Sequence, residues 1–149
     1  YVYIMTPYFI VNSSVIDAIK YAAKRGVDVR IILPHIPDKK YALNIARTYY
    51  KTLIPIGVKI YEYTPGFIHS KVLAADGAKA VVGTINMDFR SMYLNYECAL
   101  YIRNNPVIAD IKADFDSTFE KCELIGTNKK YNIFSRIEGV LLKLFAPLM

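Results

Sequence analysis

The chain has 149 residues, 54% of them hydrophobic and 21% charged. That length and balance suit one folded domain with a sizeable core and exclude a disordered or fibrous chain. Nineteen Lys and Arg outweigh thirteen Asp and Glu to give a net charge of +6, which predisposes the surface towards anions such as phosphate, nucleic acid or acidic lipid without choosing among them.

The chain opens on Tyr1-Val2-Tyr3-Ile4-Met5, an aromatic and β-branched run that reads as an interior strand and as a piece of something longer. After Pro7, Ser14-Val-Ile-Asp17 offers a capping box, followed at helical spacing by Val15, Ile16, Ile19, Ala22 and Ala23 up to Gly26. Residues 27–33 read as a strand closed by Pro34 and Pro37. Helical periodicity resumes at Ala42, Ile45, Ala46, Tyr49 and Leu53, and Gly57 ends it. Strands are expected at 58–63, 70–75 and 78–83, the last two joined by Asp76-Gly77, a dipeptide suited to a two-residue hairpin. A strand over 96–102 leads to Asn104-Asn105-Pro106 and a helix carrying Ile108, Ile111, Phe115 and Phe119, and a last helix starts near Ile133. Helices alternating with strands, then a hairpin, imply an α/β fold with a mixed sheet flanked by helices on both faces. Cys98 and Cys122 match no metal or redox spacing and read as small, buried, reduced residues of an intracellular protein. No signal peptide is recognisable, and no run reaches the ~18 apolar residues of a membrane span.

The stretch His69-Ser70-Lys71-Val72-Leu73-Ala74-Ala75-Asp76 carries the chemistry. In an extended strand His69 and Lys71 share a face, and an imidazole beside an ammonium suits phosphate. The apolar residues that follow mark a buried strand with its polar pair at the end where a cleft opens. Gly83-Thr84-Ile85-Asn86-Met87-Asp88-Phe89-Arg90-Ser91 and Asn95-Tyr96-Glu97 add hydroxyl, amide, guanidinium and carboxylate groups within thirty residues of His69. Asp76 is ambiguous, because Asp before Gly is also what a tight hairpin requires.

The pattern His-x-Lys-x-x-x-x-Asp, followed by Gly-Thr-x-Asn and a downstream Asn-x-Glu, resembles the phospholipase D superfamily signature. Thr6-Pro7-Tyr8-Phe9, Gly26-Val27-Asp28-Val29-Arg30, Gly57-Val58-Lys59-Ile60-Tyr61 and Pro65-Gly66-Phe67-Ile68-His69-Ser70-Lys71 extend the likeness to the C-terminal half of bacterial cardiolipin synthases, over essentially the whole chain. Thr84 stands where Ser is commoner in that family and keeps the hydroxyl.

The resemblance implies a phospholipase D-like catalytic domain over residues 1–149. It makes His69 the nucleophile of a phosphohistidine intermediate and places Lys71 and Asp76 with it in the catalytic motif. Lys71, Asn86 and Thr84 would hold the phosphate, with Lys71 and Asn86 on the non-bridging oxygens where charge gathers. Glu97, Arg90 and Ser91 would support it, Glu97 by accepting from Nδ1 of His69, and Asp88 would pair with a nearby base. No metal and no cofactor is implied. His35 lacks a Lys two residues on and reads as an ordinary surface residue.

The family carries two such motifs facing each other across a cleft. This chain has one, so the site is expected to be completed by the N-terminal half of the same enzyme or by a second copy. The implied reaction joins two phosphatidylglycerol molecules into cardiolipin with release of glycerol, at the bacterial plasma membrane, by an enzyme domain on the cytoplasmic side. Phosphodiester hydrolysis on nucleic acid by a homodimer is the alternative, suited to the positive charge, but the closer likeness to cardiolipin synthases sets nucleic acid aside. Ile133, Phe134, Ile137, Val140, Leu141, Leu144 and Phe145 fall on one face of the last helix, with Arg136 and Lys143 elsewhere. Over 133–149 this amphipathic helix is expected either to lie on an anionic membrane or to pack on the domain.

Overall fold

A computed structural model of the chain describes residues 1–129 and 131–148. Strand β1 (Val2–Met5) pairs in parallel with β3 (Val29–Pro34), and β3 in parallel with β4 (Lys59–Tyr63). The crossovers are made by helices α1 (Ser13–Lys24) and α2 (Lys40–Leu53). On its other side β1 pairs antiparallel with β5 (Val72–Ala75), which turns into β6 (Lys79–Gly83) and then pairs onward to β8 (Ala99–Arg103) at one edge. Strand β9 (Cys122–Leu124) closes the other edge against β4, so the seven strands run β8-β6-β5-β1-β3-β4-β9. A small parallel pair, β2 (Phe9–Ile10) with β7 (Met87–Asp88), stands apart from the main sheet.

Alternation along the central strands sorts the core into two layers, as a sheet covered on both sides demands. Ile4, Ile31, Leu33 and Ile60 face Ile16 and Ile19 of α1 and Ala42, Ile45 and Ala46 of α2. Tyr3, Met5, Ile32 and Ala74 face the other way, onto Phe115 of α4 (Val107–Phe119). The mixed sheet with helices on both faces is the architecture expected from the sequence.

Several local features differ from expectation. Asn12, not Ser14, caps α1, its Oδ1 accepting from the Val15 amide at 3.0 Å. Strand β5 begins at Val72 rather than at residue 70, although the Gly83 amide still donates to the Lys71 carbonyl at 3.3 Å. Cys98 is exposed, while Cys122 is half-buried and packs against the core layer around Phe115. At the hairpin, Asp76 (φ 52°) and Gly77 (φ 64°) both adopt left-handed conformations, the pair that a twist-compatible two-residue turn needs.

Glu62 on β4 is fully buried and saturated. Arg47 donates to both of its oxygens at 3.0 and 2.9 Å, the Tyr50 hydroxyl donates at 3.2 Å, and Nδ1 of His35 lies 2.9 Å from Oε2. His35 lies on the surface as expected, but its ring is engaged by the buried Glu62. It ties the end of β3 to β4, the strand that leads into the loop carrying His69.

Candidate active site

The hairpin runs antiparallel to β1, with Val72 opposite Met5, so its open end lies at the C-terminal ends of the parallel strands. This is the end at which α/β sheets present their sites. There His69, Ser70, Lys71, Val72, Val82, Gly83, Thr84 and Asn86 line an open cavity of about 550 Å³. Four of the predicted residues, His69, Lys71, Thr84 and Asn86, are thus brought together.

His69 is exposed, its ring packed beside Phe67 with centroids 5.5 Å apart. The Lys71 ammonium folds back to donate to the His69 carbonyl at 2.8 Å, which keeps charge and imidazole on the same lip of the cavity. Partial burial pulls the Lys71 pKa down, opposed by the carboxylates of Glu97, Asp88 and Asp38. Desolvation favours the neutral amine and nearby negative charge the ammonium.

Glu97 reaches the cavity rim from the segment before β8. Its Oε2 accepts from the Thr84 hydroxyl, and Oε1 accepts from the Asn95 amide at 3.3 Å. These hydrogen bonds, Thr84 first, hold its pKa below the ordinary carboxylate value. The hydrogen bond expected from His69 to Glu97 is absent among the described residues, and Glu97 braces Thr84 instead. Thr84 is further clamped to Cys98, accepting from its amide at 3.0 Å. The preceding Gly83 is required by this closeness, because a methyl group there would run into the Cys98 carbonyl and Ala99.

Asn86 donates through Nδ2 to the buried Ser91 hydroxyl at 3.1 Å, while its buried Oδ1 has no partner among the described residues. Ser91 is therefore a support for Asn86. Asp88 caps the short helix α3 (Phe89–Tyr93) by accepting from the Ser91 amide at 2.7 Å, rather than pairing with a base. Arg90 is exposed and lies outside the cavity lining. Asp76 does not join the site: it occupies the turn at the far end of β5, its side chain 74% exposed. Seven extended residues, about 23 Å, separate it from His69. Its motif position is explained by the hairpin.

Sequence reasoning missed three contributors. Thr6 Oγ1 accepts from the Met87 amide at 3.2 Å and donates to the Tyr8 carbonyl at 2.9 Å, docking the Thr84–Asp88 segment beside the end of β1. Tyr8 donates to Asp38 at 2.5 Å, and that carboxylate acts on Lys71. Tyr8 stands in the Thr6-Pro7-Tyr8-Phe9 stretch that carries part of the resemblance, and both Tyr8 and Asp38 follow the C-terminal ends of parallel strands.

The fold and this cavity define a phospholipase D-like domain. Residues 1–119 match the family described as cardiolipin synthase, PLD-like domain, and the chain belongs to that family. It is 50% identical over its whole length to an uncharacterized protein of Streptococcus mutans, of which it covers 33%. It is 39% identical, over 99% of its length, to a cardiolipin synthase of Clostridium perfringens, of which it covers 31%. The chain thus spans about a third of the length of these relatives. Its fold is shared with Nuc, a phospholipase D family member from Salmonella typhimurium, at a TM-score of 0.72 and 21% identity over 83% of this chain and 80% of that one.

Proposed function

We propose that this domain is the catalytic part of a cardiolipin synthase that transfers a phosphatidyl group through His69. The observation that carries the reading is the convergence of an exposed imidazole, an ammonium, a hydroxyl and an amide on one open cavity. The named Clostridium perfringens relative supports the lipid substrate.

In the first step Nε2 of His69 attacks phosphorus of phosphatidylglycerol. A P–N bond forms, the P–O bond to glycerol breaks, and the leaving oxygen takes a proton from an acid outside this half-site. Lys71 and Asn86 draw on the non-bridging oxygens as charge gathers there. In the second step the glycerol hydroxyl of another phosphatidylglycerol attacks, its proton passing to the group that acted as acid in the first step, and the P–N bond breaks to free His69 and give cardiolipin. The second His-x-Lys motif is supplied by the remainder of a longer protein or by a second copy. The exposed apolar side chains beside the cavity, Tyr93, Leu94, Tyr96, Leu100 and Tyr101, support that side as the docking face. The site of action is the inner surface of the bacterial plasma membrane, and no described helix is long and apolar enough to cross it.

The test is lipid chromatography on phosphatidylglycerol vesicles with an assembly holding both motifs. Cardiolipin and equimolar glycerol are expected, and both vanish in His69→Ala. Cardiolipin persisting in that variant refutes the nucleophile, and phosphatidic acid in place of cardiolipin refutes the transferase.

A further inference from the structure

The last helix settles one of its two expected fates in an unexpected way. Helix α5 (Ile133–Lys143) does pack on the domain, against α2, but through the narrow face that carries Gly139 and Leu142. Gly139 is buried, Leu142 packs against the core and Ala146 is buried in the turn that follows the helix, while a methyl on Gly139 would run into the Asn44 carbonyl. Asn44 donates to Glu138 at 2.8 Å, and the Lys143 ammonium lies 4.0 Å from the Tyr49 ring centroid, fixing the helix on α2. The large side chains point away: Ile133, Phe134, Ile137, Val140, Leu141, Leu144 and Phe145 are each more than half exposed. A contiguous apolar face of this kind is uncommon on a soluble surface and marks an interaction site.

Beside that face, between α2 and α5, lies a second cavity of about 340 Å³, which shares no lining residue with the His69 site. Lys51, Lys129, Arg136, Thr127 and Tyr131 line it, and Val140 belongs both to its wall and to the apolar face. Lys129 is paired with Glu123, but Lys51 and Arg136 have no ion-pair partner among the described residues. The buried Tyr131 hydroxyl has no hydrogen-bond partner among the described residues, and the Arg47 guanidinium lies over its ring at 4.4 Å. Positive charge continues along the helix, where the Lys143 pKa is lowered by burial and by the neighbouring Lys20. Apolar side chains flanked by uncompensated cations complement an anionic lipid surface, which offers hydrocarbon beneath a layer of negative headgroups. Eleven residues make a helix of about 16 Å, half the ~30 Å hydrocarbon thickness, so it lies along such a surface.

We propose that the outer face of α5 and the basic cavity beside it form a docking surface for anionic membrane, distinct from the His69 site. The proposal rests on this surface and not on the reaction assigned to His69, and binding is read without turnover.

The test is flotation of the chain with phosphatidylglycerol-containing vesicles and with phosphatidylcholine vesicles. Preferential binding to the anionic vesicles is expected, falling in high salt and unaffected by His69→Ala or by excess glycerol phosphate. The triple variant Phe134→Ser, Ile137→Ser, Leu144→Ser replaces only exposed side chains, so the fold, followed by circular dichroism, should persist while binding falls at least tenfold. Lys51→Gln with Arg136→Gln should weaken binding to anionic vesicles on the order of tenfold. The proposal is overturned if the chain does not float with anionic vesicles, if it binds both vesicles equally, or if the triple variant binds like the parent. It is equally overturned if the triple variant splits a dimer while leaving vesicle binding intact, since a second copy then covers the face.

Discussion

Replacing Glu62 by Gln tests whether the buried carboxylate organises the strands beneath the His69 loop. Gln keeps the shape but removes the charge that faces Arg47 and His35, and puts an amide donor where two oxygens accepted. Removing one member of a buried pair costs about 3–5 kcal/mol. Arg47 is 21% exposed and recovers some hydration, so the loss falls to roughly 2–3 kcal/mol. With a urea slope of about 2 kcal/mol per molar, the unfolding midpoint should drop by roughly 1–1.5 M. Arg47→Met should cost more, because Glu62 at 0% exposure has no route to water. The pH dependence has a definite sign. Burial alone would raise the Glu62 pKa, but Arg47 and then His35 overturn this and hold it below the ordinary 4.5. The stability it contributes is therefore complete above pH 4.5 and drains away as pH falls further. Glu62→Gln should flatten that acid limb. A midpoint shift under about 0.3 M, or Arg47→Met milder than Glu62→Gln, refutes the reasoning.

Asp76→Gly keeps a residue at ease with positive φ in the turn and should leave turnover within about twofold of the parent in the same lipid assay. A hundredfold loss would return Asp76 to the catalytic machinery. Thr84→Val removes the hydroxyl that Glu97 accepts from, so the Glu97 pKa should rise towards its ordinary value. The acid limb of the pH–rate profile should then move to higher pH, while Thr84→Ser keeps the parent profile. An unmoved limb in Thr84→Val would remove Glu97 from control of activity.

The elements legible in the sequence were those whose signals are local. Asp76-Gly77 announced the β5–β6 hairpin because two consecutive positive-φ residues fit little else, and the Val- and Ile-rich run of β3 marked a buried strand. Strand β9 was not legible, since Cys122-Glu123-Leu124 has no strand pattern and is held only by its pairing with β4, some sixty residues earlier in the chain. The α1 cap was misread because Asn12, Ser13 and Ser14 are all competent. The choice falls to Asn12 through the preceding segment, where Phe9 pairs with Met87 and the Tyr49 hydroxyl holds the Val11 carbonyl at 2.9 Å. In α5 the direction of the apolar face was left open, because the close approach that Gly139 permits is visible only once Asn44 stands opposite.

The site divides in the same way, and the division bears on mechanism. His69, Lys71, Thr84 and Asn86 fall within eighteen residues and were legible as one hairpin's open end. Tyr8 and Asp38 arrive from other loops, and Asp76 was claimed by two explanations that only geometry separates. The carboxylate beside the cavity, Glu97, is kept ionised by Thr84 and Asn95, so it is a poor proton donor near neutral pH. Lys71, with its ammonium turned to the His69 carbonyl, is placed to neutralise phosphate rather than to protonate a leaving alcohol on the opposite side of phosphorus from His69. An in-line displacement sets nucleophile and leaving group on opposite sides of the phosphorus. In the proposed reaction the acid must therefore stand across the bound phosphate from His69. Under the reaction proposed above, that acid belongs to a second half-site facing the first.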